Sequence, residues 1–267
     1  MAEETDAGIM LHFLNVGQGD ATVIQCGNQT MLIDGGDKKH ADYVCRYLND
    51  LGIEQIDYAI VTHAHEDHTD GLFRVIDYYP VMCLCTPLKS HKQEKMMDLM
   101  THACNRGAVI EKMGAGRSFM LGEAKCSILG PLRLDYSNEN DMSMVLKIEY
   151  GETSFLFPGD AGREEEKDLI EAGIDISADV LHVPHHGSDV NNEYLFIRSV
   201  FSTRQRFAII SVADNNTYDH PSSHTIDRLQ QANVKIYRTD RDRNIRCFSD
   251  GYNILFNEEI DQMSLAA

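Results

Sequence analysis

The sequence predicts an α/β protein with four layers, an αββα sandwich. Strand-like and helix-like stretches alternate along the 267 residues, and the hydrophobic content of 43% is enough for one large core. The two halves of the chain also repeat one arrangement. A strand ends in glycines and a carboxylate, at Asp34 in the first half and at Asp160 in the second. A sandwich with approximate twofold symmetry would show such a duplication, and we expect one domain covering residues 1–267.

The individual elements are predicted from apolar periodicity and from turn signals. Gly27 and Gly151 indicate hairpin turns, Gly52 suits a helix end, and Ser222 or Ser223 suits a helix N-cap. The predicted strands cover residues 9–16, 21–25, 30–33, 58–62, 81–85, 108–113, two stretches within 119–129, 144–150, 154–157, 180–183, 207–211, 234–237, 244–248 and 252–256. The predicted helices cover residues 40–51, a short stretch that starts near residue 70, 91–105, 163–172 and a stretch that follows the serine N-cap.

The densest group of metal-ligating residue types follows the predicted strand at residues 58–62. His63, His65, Asp67 and His68 lie within six residues there. Imidazole nitrogens and carboxylate oxygens are both metal ligands. Because alternate residues of an extended chain point the same way, His63 and His65 can converge on one metal. Asp67 and His68, where the chain bends, can face a second metal.

A second motif, Pro-His-His-Gly-Ser at residues 184–188, ends another predicted strand. One of two adjacent histidines can ligate a metal while its neighbour transfers a proton or contacts a phosphate oxygen. We assign His186 as the metal ligand and His185 as the acid/base group or substrate contact. The reverse assignment within the pair remains open.

The motif His-x-His-x-Asp-His resembles the second motif of the metallo-β-lactamase-fold hydrolases. The stretches FLNVGQGDATVI and MLIDGGD resemble the opening of the ComEC-type competence hydrolase domain, and this resemblance extends from about residue 10 to residue 256. It implies the metallo-β-lactamase fold. It further implies that Asp34 orients the metal site from outside the ligand shell, that Asp160 bridges two metals, and that His220 is the last metal ligand.

The sequence departs from most of that superfamily at one motif. A histidine usually precedes the hairpin of the second half, whereas Asn138, Asn140 and Ser143 occupy this region here. The departure is typical of the ComEC-like branch, and it means that one metal must take a histidine from elsewhere. The implied ligands then divide into His63, His65, His186 and Asp160 on one metal, and Asp67, His68, His220 and the same Asp160 on the other.

This ligand set implies two divalent metal ions, with zinc favoured by the histidine-rich shell and manganese as the alternative. Two such ions lower the pKa of a shared water and neutralise charge on a phosphoryl oxygen. We therefore expect a dinuclear metal-dependent hydrolase, with a phosphodiester as its substrate. One alternative is another ester class, such as the substrates of the similar phosphorylcholine esterases. Another is a non-catalytic binding or regulatory module, which loss of ligand residues would indicate.

The charge of the chain constrains its partners. There are 42 acidic and 24 basic side chains, a formal net charge of −18. Such a surface opposes stable binding of duplex DNA, so we expect a small phosphoester or a short nucleic acid as substrate. The sequence has no membrane-spanning stretch, its N-terminus MAEETDAGIM lacks signal-peptide features, and its seven cysteines suggest reduced thiols. We expect a free-standing cytoplasmic relative without the channel segment of a ComEC protein.

Other candidate residues are less informative. Asp20 lies in a Gly-Gln-Gly-Asp turn, and the sequence leaves open whether it reaches the site or only caps the turn. His182 lies inside a predicted strand and is expected to be structural. His91 and His102 have no partner motif and are expected at the surface, and His224 is expected either at the surface or next to the ligand shell.

Overall fold

The computed structural model describes residues 8–266, and within this range it contains fifteen strands and eight α-helices. The strands are β1 (Ile9–Phe13), β2 (Thr22–Cys26), β3 (Gln29–Ile33), β4 (Ile56–Ile60), β5 (Val81–Pro87), β6 (Val109–Met113), β7 (Ser118–Leu121), β8 (Ala124–Gly130), β9 (Val145–Tyr150), β10 (Thr153–Phe157), β11 (Val180–His182), β12 (Phe207–Ile210), β13 (Lys235–Arg238), β14 (Ile245–Ser249) and β15 (Ile254–Phe256). The helices are α1 (Ala41–Asp50), α2 (Glu66–Tyr78), α3 (Gln93–Asn105), α4 (Arg163–Glu171), α5 (Tyr194–Val200), α6 (Ser223–Gln231), α7 (Thr239–Asp242) and α8 (Glu258–Ala266). The prediction of no signal peptide depends on residues 1–7, which lie outside the described range.

The strands form two sheets. The first has eight strands in the order β15-β14-β1-β2-β3-β4-β5-β6, and the second has seven in the order β13-β12-β11-β10-β9-β8-β7. Each sheet combines an antiparallel part with a parallel part. β3, β4, β5 and β6 run parallel in the first sheet, and β10, β11, β12 and β13 do so in the second. The parallel parts need helical crossovers, and α1 to α6 supply most of them.

Three apolar cores hold the layers together. Between the sheets, Phe13 of β1 stacks on Phe157 of β10 with 5.9 Å between ring centroids. A second core joins the outer face of the first sheet to α1, α2 and α3, and a third joins the outer face of the second sheet to α4, α5 and α6. Helices therefore cover both outer faces, and the predicted four-layer αββα sandwich is confirmed. The prediction of one domain over residues 1–267 stays a prediction.

The candidate site residues lie where parallel strands end. Asp34 follows β3, and His63 follows β4. Asp160 follows β10 in the other sheet, and His186 follows β11. Since the carboxyl ends of parallel strands meet at one edge of a sheet, the sandwich brings motifs from both halves of the chain to the same edge.

Some predicted elements are wrong in position or were missed. Helix α2 begins at Glu66 instead of near Asp70, so Asp67 and His68 belong to its first turn and not to a bend. The reason is that the first turn is polar and carries no apolar periodicity. Helices α5, α7 and α8 were not predicted; two of them are seven residues or shorter, too short for a clear helical pattern.

The first turn of α2 packs directly on the glycine-rich loop after β3. Gly35 N donates to His68 O at 2.7 Å, and Gly71 N donates to Gly36 O at 2.9 Å. A Cβ atom on Gly71 would lie 1.8 Å from the backbone oxygen of Gly35. Only glycine allows this approach, which fixes His68 relative to the end of β3.

We expect Gly71→Ala to lower the free energy of unfolding by about 1–3 kcal/mol, because the added methyl group forces backbone apart. Equilibrium unfolding in urea measures this change. Arg74→Ala is the matched control, since Arg74 is an exposed residue of the same helix whose ion pair with Asp42 lies at the surface. Equal midpoints for Gly71→Ala and the control would contradict the close contact.

Candidate metal centre

The first two histidines of the hexad converge with a carboxylate from the opposite sheet. His63 Nε2 and His65 Nδ1 are 2.8 Å apart. His63 Nε2 lies 3.6 Å from Asp160 Oδ2, and one ligand-type atom from each of the three residues lies within 4.8 Å of the others. This convergence of His63 and His65 is the arrangement expected from the sequence, with Asp160 added from β10.

The second half of the hexad forms a neighbouring group with His186. His186 Nε2 lies 3.6 Å from Asp67 Oδ2, and His68 Nε2 lies 3.4 Å from Asp160 Oδ1. One oxygen of Asp160 thus faces the first group, while its other oxygen faces the second. The two groups are adjacent, and Asp160 lies between them.

The position of His186 corrects the predicted division of ligands. The sequence grouped His186 with His63 and His65, but the structure groups it with Asp67 and His68. The backbone at the strand end causes this change. His185 and His186 both have left-handed dihedrals, φ 52° and 54°, and their rings reach different carboxylates, Asp160 and Asp67 respectively.

His185 lies on the side of the first group. Its Nε2 is 3.9 Å from Asp160 Oδ2, the oxygen that also faces His63. The side chain is 26% exposed, and Asn140 Nδ2 lies 3.4 Å from both of its ring nitrogens. His185 is therefore in contact with Asn140, which lies in the region before the second hairpin where most of the superfamily has a histidine.

Hydrogen bonds fix the tautomers of two proposed ligands. His68 Nδ1 donates to Asp34 Oδ2 at 2.7 Å, and His186 Nδ1 donates to the carbonyl oxygen of Ser211 at 3.0 Å. Asp34 also accepts from the backbone N–H and the hydroxyl of Thr62. With Nδ1 protonated, each neutral ring presents a lone pair on Nε2, the form that a metal requires.

Unpaired buried atoms test whether a metal fits this site. His68 Nε2, His186 Nε2 and Asp160 Oδ1 are buried and have no hydrogen-bond partner within residues 8–266. An unsatisfied buried polar atom is costly, yet here three of them face a common space. Nitrogen and carboxylate oxygen donors fit zinc, and the carboxylates also suit manganese. The residues present therefore fit a pair of divalent cations.

Burial and nearby carboxylates shift the pKa values of the site histidines. Burial lowers the pKa of His63 well below its usual value, which favours the neutral ligand form. Burial also opposes the charged form of His68 and His186, but nearby carboxylates stabilise that form more strongly, so the pKa of each ring rises. Asp160 raises the pKa of His68 well above its usual value, and Asp67 and Asp160 raise the pKa of His186 to about 9. Since metal ligands must be deprotonated, a cation that binds here displaces these protons.

His220 lies beside both groups but belongs to neither of them. Its ring centroid is 5.4 Å from that of His185 and 6.4 Å from that of His186. Its Nδ1 is 3.3 Å from Gln18 Nε2. Burial, followed by the two neighbouring imidazoles, lowers the pKa of His220 to about 4. The structure does not bring His220 to the predicted ligand position beside Asp67 and His68.

Two residues that the sequence left open or assigned elsewhere belong to the centre. Asp20 is 4% exposed, and its Oδ1 lies 3.6 Å from His182 Nε2 and from His186 Nδ1. His182 also shares a 2.8 Å hydrogen bond with Ser211 Oγ. Asp20 is therefore part of the site, and His182 supports it from the strand. Only the unusual Gly-Gln-Gly-Asp turn signalled Asp20 in the sequence.

Glu139 was not singled out from the sequence, although it shapes the site. It is buried and accepts from Ser90 Oγ at 2.5 Å, from His91 N at 2.6 Å and from Ala64 N at 3.3 Å. The carboxylate thus joins the hexad loop to the loop after β5. Nothing in its polar surroundings, Ser-Asn-Glu-Asn, distinguishes it from a solvated loop residue.

Histidines expected at the surface lie outside both metal-ligand groups. His91 and His224 are exposed, and His102 is half-buried with its Nε2 3.1 Å from Asp77.

Within the described part of the chain, no helix combines the length and the hydropathy that a bilayer crossing needs.

Comparisons with known proteins support the fold described above. The sequence model described as "Metallo-beta-lactamase superfamily" matches residues 14–82. The chain is also similar in structure to CmlA, a diiron β-hydroxylase from Streptomyces venezuelae, with a TM-score of 0.58 at 15% identity, covering 88% of this chain and 53% of CmlA. A diphosphatase from the PhnP family gives 0.51 at 13% identity, covering 85% of this chain and 94% of the diphosphatase. The chain therefore has the metallo-β-lactamase fold, and its residues 14–82 are similar to the metallo-β-lactamase superfamily.

Two named proteins are similar to this chain in sequence. The chain is 29% identical over 251 residues to ComE operon protein 3 of Bacillus subtilis (strain 168), covering 87% of this chain and 32% of that protein. It is 28% identical over 232 residues to Recombination protein 2 of Haemophilus influenzae, covering 85% of this chain and 27% of that protein. The chain thus spans about a third of the length of these relatives or less. The resemblance to the ComEC-type hydrolase domain is confirmed.

We expect Asp34→Asn to weaken binding of one metal by about 10- to 100-fold, because the single amide oxygen cannot accept from both the Thr62 backbone N–H and His68, which bond to different oxygens of Asp34. Calorimetric titration of metal-free protein with zinc measures this loss. Asp37→Asn is the matched control, since Asp37 lies in the same glycine-rich loop and, among residues 8–266, its side chain bonds only to His40. Unchanged affinity in Asp34→Asn would show that the carboxylate does not orient a ligand.

Proposed function

We propose that this protein is a dinuclear metal-dependent hydrolase that acts on a phosphodiester. The position of Asp160 supports the proposal most strongly, because its two oxygens face two separate ligand groups. The first metal would be held by His63, His65 and Asp160. The second would be held by Asp67, His68, His186 and the same Asp160.

The chain's own residues supply the rest of the chemistry. Two bound divalent cations would provide Lewis acidity that makes water nucleophilic near neutral pH and neutralises phosphoryl charge. Asp34 holds His68 in its ligand tautomer, and the Ser211 carbonyl does the same for His186. His185, partly exposed and beside the first group, would pass a proton to a leaving oxygen. Zinc is the proposed metal, with manganese as the alternative.

The surface charge supports a small or single-stranded substrate. The net charge is −18, and Lys92 and Lys95 are paired with Glu66 and Asp70 in the first turns of α2. This net charge repels a long polyanion, whereas a single phosphodiester needs only the metals. Choline phosphodiesters and cyclic nucleotides therefore compete with short single-stranded DNA as substrates. We propose no stable binding of duplex DNA and no membrane partner.

The thiols support a reducing compartment. All seven cysteines are free, and the closest pair, Cys83 and Cys85, has its sulfurs 3.6 Å apart without a bond. A protein that passed through an oxidising compartment would tend to pair such thiols. We therefore propose a cytoplasmic location for the hydrolase.

We expect Asp160→Ala to lose both metal and hydrolysis of bis(p-nitrophenyl) phosphate, because this carboxylate faces both ligand groups. Metal content by elemental analysis and initial rates on single-stranded DNA, cyclic nucleotides and choline phosphodiesters provide the test. Asp175→Ala is the control, because Asp175 is a mostly exposed carboxylate at the opposite edge of the second sheet. Full turnover by Asp160→Ala would contradict the proposed centre. Wild-type protein with less than one metal and no activity on any ester would favour a non-catalytic module.

We expect different outcomes for the two adjacent histidines. His186→Ala should lose the metal held with Asp67 and His68 and keep the one held by His63 and His65. His185→Ala should keep both metals and lower kcat by about 10²- to 10⁴-fold, as loss of an acid/base group does. Metal counts and rates for the two variants distinguish the roles. Loss of a metal only in His185→Ala would reverse the assignment.

A further inference from the structure

The side chain of Gln18 contacts two residues of the loop between β12 and α6, Ala213 and His220. Gln18 lies in the turn between β1 and β2, far in sequence from both of its partners. Its amide oxygen Oε1 accepts from Ala213 N at 3.2 Å, and its amide nitrogen Nε2 lies 3.3 Å from His220 Nδ1. The amide group is therefore held at both ends.

The contact with Ala213 determines which way the amide faces. A backbone N–H can only donate, so the atom of Gln18 that meets Ala213 is the oxygen. The amide NH₂ group then faces His220, and it too can only donate. His220 Nδ1 must accept this hydrogen bond, which means that Nδ1 carries no proton. The single ring proton of His220 is therefore on Nε2.

This tautomer is the opposite of the one found in the proposed ligands. His68 and His186 donate from Nδ1 to oxygen acceptors, which leaves a lone pair on Nε2. His220 accepts at Nδ1, so its Nε2 carries a proton and cannot ligate a metal. The absence of His220 from both ligand groups agrees with this difference.

Two hydrogen bonds and a ring stack within its own loop hold His220 in place. Asn216 accepts from His220 N at 3.0 Å and donates to His220 O at 2.7 Å. Tyr218 stacks on the imidazole with 5.7 Å between centroids and 26° between planes. Half-buried and next to His185, the ring lies at the rim of the metal centre.

We propose that Gln18 is a positioning residue that holds His220 as a hydrogen-bond donor, with Nε2–H directed to a phosphoryl or leaving-group oxygen of the substrate. The identity of the acceptor rests on the proposed phosphodiesterase function, whereas the tautomer of His220 does not. His220 gives up no proton in this role. It stabilises negative charge that develops on the substrate oxygen.

The variant Gln18→Glu tests this role because it keeps the shape of the side chain while it removes the donor and adds a negative charge. The carboxylate keeps an oxygen for Ala213 N but replaces the donor that faces His220 with an acceptor. In wild-type zinc-loaded protein labelled with ¹⁵N-histidine, we expect ring nitrogen chemical shifts of His220 that show Nε2 protonated and Nδ1 not. In Gln18→Glu we expect Nδ1 to become protonated. His220→Gln identifies the His220 signals by their loss.

Metal content and kinetics then separate a donor from a ligand. If His220 is a donor, Gln18→Glu and His220→Ala keep both metals, and each lowers kcat by about 10²- to 10³-fold with little change in KM. His220→Gln, which restores an N–H, should recover part of that loss. If His220 is a ligand, His220→Ala loses a metal, and Gln18→Glu tightens metal binding by making the imidazole more basic.

The proposal is overturned if wild-type His220 is protonated on Nδ1, or if His220→Ala binds one metal fewer than the wild type. It is also overturned if Gln18→Glu moves the proton but leaves kcat unchanged on a substrate that the wild type hydrolyses. A wild-type protein that hydrolyses no phosphodiester contradicts the proposed function instead. The tautomer and the metal content would still be measured in that case, so the two failures can be told apart.

Discussion

Four carboxylates, Asp20, Asp34, Asp67 and Asp160, meet at one edge of the sandwich, and three of them are almost fully buried. Burying a carboxylate is expensive unless positive charge or hydrogen bonds compensate. Within residues 8–266 their ion-pair partners are all histidines, with no lysine or arginine among them. The site therefore needs cations, either protons on imidazoles or metals. The strands β3, β4, β10 and β11 end around the site and position the carboxylates and histidines that would surround these cations.

Much of this arrangement can be predicted from the sequence because its signals are local. The hexad follows an apolar strand, so the convergence of His63 and His65 needs only the alternation of an extended chain. Asp34 and Asp160 each end a strand in a glycine-rich turn, and that repetition predicted the two halves of the sandwich. The boundaries of α1, α3 and α4 were also close, since apolar periodicity marks which face is buried.

The pairings that depend on distant backbone could not be predicted. His186 joins Asp67 and His68 because a left-handed turn directs it there, and no residue type encodes that turn unambiguously. Asp20 enters the centre through contacts that cross between sheets. The tautomer of His220 depends on Gln18, about two hundred residues away in sequence and adjacent only after folding. Spacing within a motif carries no information on such contacts.

The turn that carries His185 and His186 has a consequence for transplanting this site. Two successive non-glycine residues in the left-handed region cost about 1–3 kcal/mol each. Contacts from elsewhere offset this strain: Asn192 Nδ2 donates to the carbonyls of Pro184 and Ser188, and Ser222 N donates to Gly187 O. A designer who copied only the five-residue motif into another scaffold would obtain a relaxed turn with both imidazoles misdirected. A transplanted site would need the motif together with Asn192 and Ser222, which hold its backbone.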